Sequence, residues 1–151
     1  MKTPEEYAAK AKELFLNGYN CSQSVLLAFE DVTGLDTETA AKLASSFGGG
    51  MGRLREVCGA VSGMFMIAGL TNGYADLKAK EEKAAHYAFI QTLADDFKKE
   101  DGSIVCRELL GLNADGSPVP APRTAEYYKK RPCAELVGDA ARIIALRLQN
   151  R

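Results

Sequence analysis

Four cysteines, Cys21, Cys58, Cys106 and Cys133, are the residues of this sequence best suited to chemistry. Thiolates attack disulfides and bind metals. No two of the four lie within two dozen residues of each other, and there is no C-x-x-C pair. A zinc ribbon and a thioredoxin-like motif are therefore both absent. If folding gathers the four, all of them become candidate reacting groups and candidate metal ligands. They would hold an iron–sulfur cluster or zinc, or cycle between dithiol and disulfide. The alternative is a non-catalytic module, with structural zinc or inert buried cysteines, acting through a partner surface. His86 is the only histidine, so no Ser-His-Asp or Cys-His-Asn set can be assembled. It shares a helical stripe with Ile90, Leu93 and Phe97 and reads as packed or surface-lying. Glu81-Glu82 and Asp95-Asp96 read as solvated.

The elements that must position the cysteines are helices. Thr3 caps a first helix, with Pro4 at its first position and Glu6 completing a capping box. Tyr7, Ala8, Ala11, Leu14 and Phe15 fall at helical spacing, and Asn17-Gly18 stops the run. Asn20 caps a helix extending to about Gly34. Asp36 caps another with Ala40, Leu43, Ala44 and Phe47 in its stripe. After the break Gly48-Gly49-Gly50-Met51-Gly52, a helix from about Arg55 to Leu70 is apolar on nearly all sides and should be central. A long helix follows from about Asp76 to Lys99. Ser103 caps a short one ending at Leu110. Asn113 to Pro122 reads as an extended surface loop, and a last helix runs from Pro132 to about Gln149 with Val137, Ala140, Ile144 and Leu148 inward. No segment alternates with period two. The expected fold is all-α: a compact bundle of six or seven helices in a single domain, residues 1–151.

On these boundaries every cysteine sits at a helix N-terminus. Such a terminus carries about half a positive charge and unpaired N–H groups, which favour thiolate. The dipoles have limits. Two thiolates about 4 Å apart repel by about 4 kcal/mol at an effective dielectric of 20, whereas each dipole offers about 0.3–1 kcal/mol, or ~2 when partly buried. Four gathered cysteines must hold a cation or cluster, keep their protons, or close into disulfides.

The glycine run has its own logic. Gly59 and Gly63 are four apart on one helix and let a second backbone approach near Cys58. Gly48 to Gly52 can adopt positive φ and turn N–H groups inward, making Gly49, Gly50 and Gly59 candidate cofactor-binding positions, with Arg53 and Arg55 assisting. The rival for the run is a tight corner between packed helices. A phosphate loop is a weaker rival, because the run lacks G-x-x-x-x-G-K-[ST] and follows a helix instead of a strand.

Cys58-Gly59-Ala60-x-x-Gly63 is similar to the signature of the four-cysteine, redox-active family C_GCAxxG_C_C. Asn20-Cys21-Ser22-Gln23-Ser24-Val25-Leu26 resembles that family's first-cysteine segment, and Cys106 and Cys133 stand in the order expected of its last two. The likeness extends from about Tyr7 to Ile144. It implies a redox role without a defined substrate, with Cys58 as the central member. A related domain accompanies redox cofactors in split-Soret cytochromes, but no C-x-x-C-H haem motif is present here.

Composition narrows the partners. The chain has 151 residues, 19 Lys plus Arg, 20 Asp plus Glu and a net charge of -1, so no global field draws nucleic acid or an anionic membrane. The basic and aromatic stretch Arg123 to Arg131 reads as a solvated helix end. Val57 to Leu70 is too short for a membrane span, which needs about 20 apolar residues. The N-terminus lacks an apolar signal region. The expected setting is cytoplasmic, where thiols stay reduced, with a redox partner of unknown identity and a homo-oligomer left open.

Overall fold

The computed structural model describes residues 1–112 and 114–150. Helix α1 spans Pro4–Leu16, and the Thr3 side chain accepts from the Glu6 N–H. α2, Cys21–Leu27, opens on a full capping box between Asn20 and Gln23. α3 is Glu30–Thr33 and α4 is Thr37–Ala44, capped by Asp36. A 3-10 turn at Ser45–Phe47 leads into the glycine run. α5 is Gly59–Asn72, α6 Lys80–Asp101, α7 Cys106–Leu110, α8 Ala125–Lys130 and α9 Cys133–Gln149. Among the described residues there is no strand, only an isolated bridge between Val57 and Val105. The expected all-α bundle is present, with six helices of seven residues or more and three shorter ones.

Several expected boundaries move. The run from Asn20 to Gly34 is two helices, since the chain turns at Ala28 and Phe29 to bury both. The helix expected from Arg55 starts at Gly59, because Arg55 has φ +60° and its neighbours pair with residues 104–107 instead. Ser103 does not cap α7. Its hydroxyl accepts from the Val105 N–H and donates to Glu108, and the helix begins at Cys106. The long helix starts at Lys80, since Asp76 folds back to accept from the Lys78 N–H. The segment after Pro122 contains α8, capped by Thr124.

Helix α5 is central, as its all-round apolar character predicts. It packs on α2, α6 and α9, while α1 lies along α9. Phe15, Val61, Met64, Ile67, Phe97, Val137 and Ile144 fill the space between them. Burial of one such side chain stabilises by about 1.5–3 kcal/mol. Tyr7 stacks on Phe29 with centroids 4.1 Å apart and donates to Asp31 at 2.6 Å. None of the described helices is long and apolar enough to cross a membrane.

The α5–α2 contact depends on two absent side chains. A Cβ on Gly59 would stand 2.9 Å from the Phe47 carbonyl oxygen and 3.1 Å from Cys21 Cβ; one on Gly63 would stand 2.8 Å from the Ser22 carbonyl oxygen. The two glycines set one helix directly on the other and bring the start of α2 beside the start of α5.

A carboxyl pair at the far side of α9 gives a pH-dependent contribution. Burial, then the neighbouring Asp139, push the pKa of Asp101 up to about 7. The unfolded value is about 3.9. The folded state therefore binds more protons between about pH 4 and 7, and stability falls as pH rises through that window. Asp101→Asn should raise the melting temperature at pH 8 and flatten its pH dependence between 4 and 7. Thermal unfolding across that range checks this, and an unaltered slope in the variant would contradict it.

Candidate functional site

All four cysteines line one cavity of about 280 Å³. Each arrives at the start of its own helix. Cys21, Cys106 and Cys133 are the first residues of α2, α7 and α9, and Cys58 immediately precedes α5. The helix-start placement expected from sequence is the one observed, and it directs four positive helix ends into the same space.

Backbone pairing fixes two of the four. The Cys58 N–H donates to the Ile104 carbonyl at 2.8 Å, the Cys106 N–H to the Glu56 carbonyl at 2.6 Å, and Val57 bridges Val105 antiparallel. Side chains alternate along such a pair. With Val57 and Val105 on one face, Cys58 and Cys106 share the other. Asn20 fixes the third: Oδ1 caps α2 and Nδ2 donates to the Ser45 carbonyl at 3.2 Å, so Cys21 is tied to the segment before the glycine run.

The glycine run forms the cavity floor. Gly49, Gly50, Met51, Gly52 and Arg53 all have φ between +63° and +70°, so the chain makes a left-handed turn closed by Gly52 N–H to Gly48 carbonyl at 3.0 Å. Left-handed backbone costs an L-residue roughly 1–2 kcal/mol. Met51, Arg53 and Arg55 are held there without being glycine, the kind of stored strain that accumulates at functional sites. The candidate positions Gly49, Gly50, Gly59 and Arg53 all line the cavity.

Arginines supply the charge. Arg55 is 5% exposed and donates to Cys106 Sγ at 3.7 Å. Arg53 turns the other way, donating to the Ser117 and Val119 carbonyls and standing 3.9 Å from Asp115. It secures the Pro-containing loop, whose Pro118, Pro120 and Ala121 close over the cysteines. Arg123 holds the loop's other end through the Phe15 and Tyr19 carbonyls at 2.6 and 2.7 Å. Arg131 lies over the Tyr127 ring at 4.9 Å. Of the expected surface loop, Asn113 lies outside the described residues, and residues 114–122 are largely exposed and also form a roof; the expected solvated end is a wall: Arg123, Tyr127 and Arg131 line the cavity while Lys129 and Lys130 face solvent. The two arginines flanking a tyrosine were the available signal. Nothing in the order of residues says which of those side chains turn inward.

Helix placement alone would lower every cysteine pKa; burial reverses this at Cys58 and Cys106, and the neighbouring Cys133 does so at Cys21. Cys58 faces the N–H groups of Ala60 and Val61, yet burial pushes its pKa up to about 12. Burial also raises Cys106 against the opposing pull of Arg55. Cys21 rises because its thiol proton is committed to the Cys133 sulfur, with burial adding to it. Cys133 alone moves down, to about 7, through that donated proton and then through Arg131, Arg123 and Arg55. The cysteine drawn toward thiolate is therefore Cys133, beside Cys21, and not Cys58, the member expected to be central. His86 lies outside the cavity, half-buried with its ring edge-on to Tyr74 at 6.2 Å.

Comparison of the sequence with family models adds one match. The C_GCAxxG_C_C family, described as "putative redox-active protein", matches residues 19–146. The chain belongs to this family. The matched span contains all four cavity cysteines, the left-handed turn and the roof loop. The family pattern writes its middle block Gly-Cys-Ala-x-x-Gly, whereas this C_GCAxxG_C_C chain reads Cys58-Gly59-Ala60-Val61-Ser62-Gly63. No curated protein and no solved structure matches the chain.

Proposed function

We propose that the chain is a thiol–disulfide exchange protein whose reacting groups are Cys133 and Cys21. The observation that carries this is that Cys133 and Cys21 line one cavity with Arg55, Arg123 and Arg131, where Cys133 alone of the four thiols is drawn down, to about 7, by Cys21 and then by those arginines. The Cys133 thiolate attacks one sulfur of an external disulfide, forming a mixed disulfide and releasing the other half as a thiolate. Cys21 then gives its proton to solvent and attacks the Cys133 sulfur, closing Cys21–Cys133 and releasing the second half. Two protein thiols are oxidised and one disulfide is reduced to two thiols. A reducing compartment such as the cytoplasm suits a resting dithiol.

Alkylation tests the reading. The rate of iodoacetamide modification at Cys133, followed by peptide mass, should titrate with a midpoint near pH 7. Cys21→Ala removes the donated proton and should move the midpoint upward by roughly one unit, toward the ordinary thiol value of about 8.5. A wild-type midpoint at 8.5 or above would remove the basis of the proposal.

A second reading is favoured by the cavity itself. Packed interiors leave few voids larger than a water, and this one is bounded by four cysteines and by arginines. Cys21, Cys58, Cys106 and Cys133 would hold an iron–sulfur cluster, whose excess negative charge the arginines would offset. The cluster would supply one-electron transfer. A single zinc ion is less well served, since among the described residues no three Cys, His, Asp or Glu side chains are gathered to hold one. Anaerobic purification with iron, sulfide and visible absorption separates the readings: stoichiometric iron and sulfide would replace exchange, and their absence would leave it standing.

A further inference from the structure

The cysteines share their cavity with four guanidinium groups and no carboxylate. Arg53, Arg55, Arg123 and Arg131 are the charged residues lining it among the described residues; no Asp, Glu or Lys does so. The net charge of the whole chain is -1, so this is a local concentration of one sign.

The positive charge is only partly neutralised, since Cys133 supplies at most one thiolate against four guanidinium groups. Among the described residues no carboxylate stands within ion-pair distance of Arg55, Arg123 or Arg131. Arg123 spends its donors on neutral carbonyls and stacks over the Phe15 ring at 4.2 Å, which leaves its charge in place. Arg55 is 95% buried with a sulfur as its side-chain partner. A buried charge without a counter-charge is costly, and Cys106 offers little, because burial keeps that thiol protonated. A guanidinium fork matches a carboxylate in two parallel hydrogen bonds.

We propose that the cavity binds a small disulfide bearing carboxylates, its acid groups against Arg131 and Arg55 and its sulfur–sulfur bond at Cys133. This rests on the exchange reading of Cys133 and Cys21 and assigns that reaction a substrate class. The volume of about 280 Å³ lies at the small end of ligand pockets and fits short acid arms better than a folded partner.

The test uses three disulfides of similar size: 3,3′-dithiodipropionate, 2-hydroxyethyl disulfide and cystamine, respectively anionic, neutral and cationic. Each rate of Cys21–Cys133 oxidation is divided by that disulfide's rate with free 2-mercaptoethanol. The normalised rate should be at least tenfold higher for the anion than for the cation, with the gap narrowing as salt screens it. Arg131→Gln should shrink the gap, and Arg131→Lys should restore part of it. Equal normalised rates, or preference for the cation, would overturn the substrate assignment and leave exchange intact. If none of the three oxidises the pair, exchange itself fails. Calorimetric titration of 3,3′-dithiodipropionate into Cys133→Ser then judges the anion site alone: binding lost in the added Arg131→Gln variant upholds it, and no binding refutes it.

Discussion

Cys133→Ser should abolish disulfide exchange outright. Treated with a small disulfide, the wild-type chain is expected to lose two titratable thiols, and the serine variant none. The reason lies in which sulfurs can ionise. At pH 7 a thiol of pKa about 7 is half ionised, against roughly 3% for an ordinary cysteine of pKa 8.5. Nucleophilicity falls as pKa falls, with a Brønsted slope of about 0.4–0.5, so the ~16-fold gain in thiolate is cut to roughly threefold in rate. The shift thus selects which cysteine attacks, while speed must come from positioning. No other thiol takes its place: Cys58 is pushed up to about 12, burial raises Cys106, and Cys21, though released from the Cys133 sulfur in the variant, still carries the upward push of its burial and lacks a partner to close with. Thiol counting before and after oxidation, with peptide mapping of the product, decides the matter. A serine variant that still loses two thiols would place the reacting pair elsewhere.

Gly50→Ala should cost the most stability of any single methyl group added near the site. At φ +70° an alanine pays roughly 1–2 kcal/mol for left-handed backbone. Its Cβ would also stand 2.6 Å from Cys106 Cβ and 2.8 Å from the Arg55 Cα. Overpacking of that kind costs about 1–3 kcal/mol. Together they predict a loss of roughly 2–5 kcal/mol, which for a domain of this size lowers the melting temperature by about 5–20 °C. Gly34→Ala is the control: its φ is +73°, but nothing lies within 4 Å of the added carbon, so only the backbone term applies. Thermal unfolding of the two variants separates the contributions. Equal losses would mean that Gly50 is needed for its torsion angle and not for the close approach of Cys106.

Much of the frame was legible because its signals are local. Thr3, Asn20 and Asp36 cap the helices they precede, and each cap side chain accepts a hydrogen bond from three residues on. The spacing of Gly59 and Gly63 announces a close helix contact, and α2 occupies it. Cys21 follows its cap Asn20 and Cys133 follows Pro132 as the sequence suggested; Cys58 and Cys106 also stand at helix starts, but without the Arg55 start and the Ser103 cap from which that was read.

The rest depends on contacts between distant segments. The pairing that sets Cys58 beside Cys106 is a single bridge, Val57 with Val105, too short to produce alternation. Positive φ at Met51, Arg53 and Arg55 is imposed on residues that do not favour it. Helix dipoles were visible in the sequence; the depth of burial that overrides them at Cys58 and Cys106 was not. Arg123 reaches the end of α1 across 108 positions of chain, and no pattern near residue 123 foretells it.

The order in which the sulfurs are made has a consequence during synthesis. Cys21, Cys58 and Cys106 are translated before Cys133, as are all four arginines around them. Until Cys133 joins them, a growing chain lacks the thiol that the exchange reading makes the attacking group. On the exchange reading, the reacting pair is completed only once every residue lining its cavity, Leu136 apart, has been made.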